Sequence, residues 1–311
     1  MTRHTMLVPE SSESEDMGSP MLSDDEFKER LGDPNANRQN GVWLFHPRAE
    51  TPKRIIGPPA TITPFSAPAL LTPNPDRAWE SLGRVMLNRE NLAGNGLFLN
   101  AAQNAVTAQF DILRTRMLQA MAERGWRRIA ITSPTHGCGK SLVAANLAFA
   151  LARLPSCRSV LIDLELRHPD LADTLGIEAG SLRDYLTGGE LMETHLRRFG
   201  PNLALALNGE PCADAAETLL NPRLDETLRR LQTDLDPAVI LMDLPHALGN
   251  DDVISMLPRV DAVLLVADAT RTTADDIRAC ERLFEDRVPL LGVVLNRAHD
   301  PVARRYRYRK T

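Results

Sequence analysis

The sequence predicts a doubly wound α/β domain with a mostly parallel sheet, preceded by a largely disordered N-terminal region. Three observations carry this. Short apolar runs alternate with helical segments from residue 128 onward. Several of those runs are continuously apolar rather than alternating, which suits strands covered by helices on both faces. Finally, eleven of the 22 prolines lie before Asp76 and none falls between Asp76 and Ser133, a shift that marks extended chain giving way to folded structure.

In chain order, residues 1–76 read as a disordered region rich in Pro, Ser and acidic residues. Residues 77–103 read as a linker carrying a short docking segment, AWESLGRVML (78–87), and WLF (43–45) is a second such segment upstream. From Asn104 the period becomes helical: Val106, Phe110, Leu113, Met117 and Met121 share one face, and Gly125 is a stop signal. RIAIT (128–132) is a strand and SLVAANLAFALARL (141–154) a helix apolar nearly all round. SVLID (159–163) and LALAL (203–207) are strands, followed by a charged helix within 213–232. AVILMD (238–243), AVLLVA (262–267), a helix over 273–285 and LLGVVLN (290–296) complete a domain placed at 104–299, and 300–311 form a basic tail. No internal repeat is visible.

Composition excludes several classes. The 311 residues carry 36 basic and 41 acidic side chains, a formal charge of −5, which argues against a protein built to hold a nucleic-acid backbone. Cys138, Cys157, Cys212 and Cys280 are scattered without metal-site spacing, so a reducing cytoplasm is expected. No apolar run approaches a membrane span of about 20 residues, and the first residues lack the apolar stretch of a signal peptide.

The chemistry gathers at SPTHGCGKS (133–141), between the first predicted strand of the domain and its apolar helix. Glycine is needed where backbone amides must approach phosphate oxygens, because a Cβ would block them. A lysine neutralises phosphate charge, a hydroxyl ligates Mg²⁺, and a helix N-terminus adds partial positive charge. Gly137, Gly139, Lys140 and Ser141 supply these at phosphate-loop spacing, with Thr135, His136 and Cys138 as the intervening loop positions; Pro134 stands where the strict pattern has its first glycine. Lys140 is the only lysine between Lys53 and Lys310. In a chain that otherwise uses arginine, this singles out a position where the two are not interchangeable.

Two strands end in carboxylates, at Asp163 and Asp243, with Glu165 and Arg167 following the first. Ligands of open parallel sheets lie beyond the carboxyl ends of strands, so both aspartates are expected beside Lys140, where Mg²⁺ takes oxygen ligands. Asn296 ends another strand on that edge, as a base contact or as a turn former.

With these motifs the chain resembles the bacterial P-loop tyrosine kinases of capsule and exopolysaccharide synthesis, within the class of septum-positioning and partition ATPases. The resemblance covers about residues 104–311 and rests on FDILRT (110–115), TSPTHGCGKS (132–141), LIDLELRHP (161–169), ILMDLP (240–245) and GVVLNR (292–297). It implies a P-loop NTPase fold, ATP and Mg²⁺ as ligands, and phosphoryl transfer to tyrosines near a neighbouring subunit's C-terminus. Lys140, Asp163, Glu165 and Asp243 would be catalytic, with Ser141, Asp163 and Asp243 at the metal. It further implies a homo-oligomer and a separate membrane partner, a polysaccharide chain-length regulator (co-polymerase), which would recruit the chain to the inner face of the membrane.

The chain departs from the family pattern in four places. Thr135 stands where partition-type loops carry a lysine. Glu165 replaces the second aspartate of a DxDxR motif. Ala108, Asp111 and Arg114 occupy the Glu, Arg and Arg positions used for ring contacts. The tail RRYRYRKT holds only two tyrosines, Tyr306 and Tyr308, out of three in the chain; they are candidate phosphoacceptors, or members of a basic tail drawn to anionic lipid. The rival reading is a partition-type ATPase switch that binds or hydrolyses ATP without phosphorylating protein.

Overall fold

Each predicted interior strand lies in one sheet of the computed structural model, which describes residues 74–99, 105–249 and 251–298. The expected disordered region up to residue 73 and the tail bearing Tyr306 and Tyr308 lie outside the described residues. The helices are α1 (Pro75–Ser81), α2 (Arg89–Gly94), α3 (Ala105–Arg124), α4 (Lys140–Ala152), α5 (Leu171–Leu175), α6 (Arg183–Leu186), α7 (Met192–His195), α8 (Ala215–Leu220), α9 (Arg223–Leu235), α10 (Asp252–Met256) and α11 (Ala274–Phe284). The strands are β1 (Gly83–Arg84), β2 (Arg128–Thr132), β3 (Ser159–Asp163), β4 (Arg197–Phe199), β5 (Leu203–Ala206), β6 (Val239–Asp243), β7 (Ala262–Asp268) and β8 (Leu290–Asn296).

The sheet order is β1-β4-β5-β3-β6-β2-β7-β8. The six strands from β5 to β8 are mutually parallel, and β4 runs antiparallel to β5 with β1 parallel to β4. β2, β3 and β6 are central, and their side chains alternate between two buried cores. Ala130, Val160, Ile162, Ile240 and Met242 face α9 and α11, whereas Ile129, Ile131, Leu161 and Leu241 face α3 and α4. This two-sided burial is why the strands read as unbroken apolar runs.

Helix α4 is apolar all round because α3 covers the side turned away from the sheet. The face expected on α3 holds at Leu113, Met117 and Met121 but not at its start: Val106 is 37% exposed and Thr107 is buried. Stepping back from Met121 by 3.6 residues per turn reaches a point between 106 and 107, and the helix turns Thr107 inward. The charged helix expected within 213–232 is two helices, α8 and α9, because Pro222 has no amide hydrogen to continue the first.

The segment expected as a linker packs onto the domain instead. Trp79 of α1 and Leu82 are buried in one core, Leu92 of α2 and Leu97 in the other, and β1 between them borders β4. The chain thus passes around the sheet edge and contributes to both layers. Trp79 is anchored further by its indole N–H, which donates to the Leu235 carbonyl at 2.7 Å, and by Arg158, whose guanidinium lies 5.5 Å from the ring.

Candidate functional site

The loop between β2 and α4 begins buried and ends buried. Ser133 and Pro134 lie inside, Thr135, His136 and Gly137 are exposed, and Cys138 turns back in. Gly137 and Gly139 adopt φ of +78° and +86°, values that side chains with a Cβ disfavour. At Gly139 a Cβ would also lie 2.4 Å from Nδ2 of Asn296. The segment after β6 braces the loop: the Ala247 amide donates to the Ser133 carbonyl at 2.7 Å and Leu248 to Pro134 at 3.1 Å.

Lys140 and Ser141 open α4 directly after this loop. The Lys140 ammonium is only 10% exposed and sits 3.1 Å from Oε2 of Glu165, 3.4 Å from Oγ of Ser141 and 3.7 Å from Oδ1 of Asp243. Burial alone would lower its pKa, but Asp243 and Glu165 outweigh burial and raise it to about 12. The cation is therefore permanent at any physiological pH.

Asp163 and Asp243 lie side by side at the carboxyl ends of β3 and β6 and are both fully buried. Oδ1 of Asp163 accepts the Glu165 amide at 3.1 Å. Among the described residues its Oδ2 and both oxygens of Asp243 are buried without a hydrogen-bond partner, Oδ1 of Asp243 having only its longer ion pair with Lys140. Burial, and then the neighbouring Asp243 charge, push the Asp163 pKa well above the usual carboxylate range. Burial likewise lifts Asp243 to about 6, with Lys140 opposing the shift. Buried acceptor oxygens left bare are costly and suit a ligand that brings positive charge or donors.

A cavity of about 520 Å³ opens above this group and is lined by Gly139, Lys140, Ser141, Glu165, Arg297 and, from the segment around the sheet edge, Asn95. Arg167, which follows Glu165, turns away from it and holds the buried Asp252 through two hydrogen bonds of 2.7 and 3.0 Å. Asn296 lies against the loop, and its amide nitrogen donates to the Cys138 carbonyl at 2.9 Å.

One part of the site escaped the sequence reading. Asp268, at the end of β7, is buried and binds both Arg271 and Arg297. Each of those arginines also donates to the Gly137 carbonyl, at 2.9 and 3.0 Å. Hydrogen bonds from Thr270, and then the two arginines, hold the Asp268 carboxyl far below its ordinary pKa. The only sequence signal was position, since both strand ends lie on the edge that carries Asp163 and Asp243.

No protein-family model matches the chain. It is 35% identical over 199 residues to the putative tyrosine-protein kinase EpsB of Ralstonia solanacearum, a match covering 63% of this chain and 26% of EpsB. Against the tyrosine-protein kinase CpsD of Streptococcus agalactiae it is 26% identical over 199 residues, covering 62% of this chain and 84% of CpsD. The solved BceF tyrosine kinase domain superposes with a TM-score of 0.57 at 25% identity, over 72% of this chain and 98% of that domain. This chain is a homologue of the bacterial tyrosine-protein kinases. It spans about a quarter of the length of EpsB, and the likeness to BceF extends over almost the whole kinase domain. The P-loop NTPase fold expected from the motifs is thus the fold the kinase relatives share.

The arrangement indicates what the site can hold. The glycine cradle at the start of α4 and the buried cation of Lys140 fit a phosphate chain. The bare oxygens of Asp163 and Asp243, with the Ser141 hydroxyl beside them, fit Mg²⁺, which is held by one or two carboxylates plus substrate phosphates. Among the described residues no cluster of three or more His, Cys, Asp or Glu forms a metal site of its own.

Proposed function

We propose that the chain is an ATP-dependent, autophosphorylating protein-tyrosine kinase acting in the regulation of exopolysaccharide or capsule synthesis and export. The observation that carries this is the grouping of Lys140, Glu165 and Asp243 around one buried charge, with Asp163 alongside, in a homologue of tyrosine-protein kinases.

Lys140 and the loop amides from Thr135 to Ser141 bind the β- and γ-phosphates. Ser141, Asp163 and Asp243 would hold Mg²⁺, which would neutralise charge building up on the phosphoryl oxygens. Asp163 orients the acceptor hydroxyl and takes its proton as the tyrosine oxygen bonds to the γ-phosphorus and the bond to the ADP oxygen breaks. Glu165, 3.1 Å from Lys140, supports both groups. A free tyrosine has a pKa of about 10, so a carboxylate accepting its proton helps, while positioning and charge neutralisation supply most of the rate.

The acceptors are Tyr306 and Tyr308 of a neighbouring copy, in a homo-oligomer docked to a membrane polysaccharide chain-length regulator at the inner face of the membrane. Among the described residues no helix is long and apolar enough to cross a membrane. One observation favours the second reading, an ATPase switch. Asp111, at a position the family uses for ring contacts, is bound within the chain by Arg114 and Arg153.

Mass spectrometry after incubation with Mg·ATP separates the two. The kinase reading expects phosphate on Tyr306 or Tyr308, and labelling of an inactive Lys140→Met chain when it is mixed with the active one. ATP turnover with unmodified tail tyrosines, with or without a membrane partner, would establish the switch.

A further inference from the structure

We infer that Asp268, Arg271, Arg297 and Asn296 are positioning residues that aim the amides of the phosphate loop by pinning its carbonyls. The inference rests on the nucleotide reading above and concerns how this chain builds its cradle.

Two consecutive loop carbonyls point to the same side. The Gly137 carbonyl accepts from Arg271 at 2.9 Å and Arg297 at 3.0 Å, and the Cys138 carbonyl accepts from Asn296 at 2.9 Å. All three donors come from the ends of β7 and β8. A trans peptide is planar, with its C=O and the next N–H pointing in opposite directions. Holding these two carbonyls toward β7 and β8 therefore turns the Cys138 and Gly139 amides the other way. The loop follows β2, and in the sheet order β6 and β3 lie on the side opposite β7 and β8. That is the side of Asp243, Lys140 and Glu165. Among the described residues the amides of Gly137, Cys138 and Gly139 donate to no other group. They form a concave row of donors of the kind that takes an anion.

Asp268 is what keeps the two arginines there. Both guanidiniums are about half exposed, at 58% and 50%, while the Asp268 carboxylate beneath them is fully buried. Its other oxygen is fixed by the Thr270 amide at 2.9 Å and the Thr270 hydroxyl at 2.7 Å. An exposed arginine would ordinarily sample many rotamers; tied to a buried carboxylate, it loses that freedom before the nucleotide arrives. The adjacent register pair Asp268 and Asn296 makes the β7–β8 ends a single rigid mount for the loop.

The arrangement is redundant at Gly137 and single at Cys138, and redundancy gives it a distinctive test. The full chain would be titrated with Mg·ADP by calorimetry, and KM for ATP measured alongside kcat, in Arg271→Gln, Arg297→Gln and the double variant. Each single change should weaken Mg·ADP by less than about threefold and the double change by at least about thirtyfold, well beyond the product of the singles, with KM rising and kcat falling little. Each single variant should keep a melting temperature near wild type, because the other arginine still pairs with Asp268. The double variant leaves that buried carboxylate unpaired and should melt lower, so its affinity is read at a temperature where circular dichroism shows it folded. Asp268→Asn should reproduce the double variant, and Asn296→Ala should add to it. Additive effects in the double variant, or unchanged Mg·ADP affinity, would overturn the inference. Lys140→Met reads the parent proposal separately: if it abolishes nucleotide binding while the arginine variants behave as wild type, the phosphate loop stands and the pinning does not.

Discussion

Asp163 and Asp243 stand opposite one another in register at the ends of adjacent parallel strands, both fully buried. One positive side chain, Lys140, lies among them and Glu165. Three carboxylates around one ammonium leave this site with an excess of negative charge, which a divalent cation would offset.

That excess has a pH signature. The folded chain raises the Asp243 pKa from 3.8 to about 6, so across this window it binds a proton that the unfolded chain releases. The associated stability is full below pH 3.8 and is lost as pH rises through about 6. Asp243→Asn is therefore expected to stabilise the nucleotide-free protein at pH 7.5 by roughly 1–3 kcal/mol and to have little effect near pH 4, while phosphoryl transfer is lost. Thermal melts of both proteins at the two pH values check this; equal melting at pH 7.5 would contradict it.

Glu165 holds the Lys140 ammonium that the proposed function assigns to phosphate, so it is expected to oppose phosphate binding in the absence of metal. Its longer arm, compared with the aspartate common in the family motif, lets its carboxylate sit 3.1 Å from the ammonium. Glu165→Gln should tighten binding of metal-free ADP by about three- to tenfold and slow phosphoryl transfer. Calorimetry in the presence of a chelator measures the first effect, and weaker binding would show that Glu165 helps rather than competes.

Gly139→Ala tests the loop's backbone. It combines a left-handed φ of +86° with a Cβ that would clash with the Asn296 amide nitrogen, costing about 1–2 kcal/mol from conformation alone. Nucleotide affinity should drop by at least about tenfold with the circular dichroism spectrum unchanged. Pairing it with Asn296→Ala removes the clash but not the φ strain, so recovery should be partial, and full recovery would place the whole cost in the clash.

Trp79→Ala should destabilise the domain by about 3–5 kcal/mol, because the ring is buried and its N–H reaches the Leu235 carbonyl. Denaturant unfolding measures it. A loss below about 1 kcal/mol would mean that α1 is not integral to the core.

Most of the interior of this fold was legible from local pattern. β2, β3, β5, β6, β7 and β8 announce themselves because burial on both faces demands apolar residues at every position. β1 and β4 do not: Gly83–Arg84 is the edge strand and Arg197–Phe199 lies next to it, segments of only two and three residues that carry arginines and stay partly exposed, and such a margin of the sheet rewards charge over apolarity. The meeting of Lys140, Asp163 and Asp243 was legible from place, since the two aspartates end strands and Lys140 opens the helix after the glycine loop. Asp268, Arg271 and Arg297 were not, because their significance lies in a contact with Gly137 across more than 130 residues of chain, which spacing cannot encode.

The scarcity of lysine has a practical consequence. Between Lys53 and Lys310 the chain contains one primary amine on a side chain, and in the fold it is only 8% exposed by residue. A lysine-specific protease therefore meets one bond in that span, Lys140–Ser141, at the first turn of α4. Cleavage there requires that turn to open, so the appearance of a fragment beginning at Ser141 becomes a clock for local unfolding of the phosphate loop, readable on a gel without any label or assay of turnover.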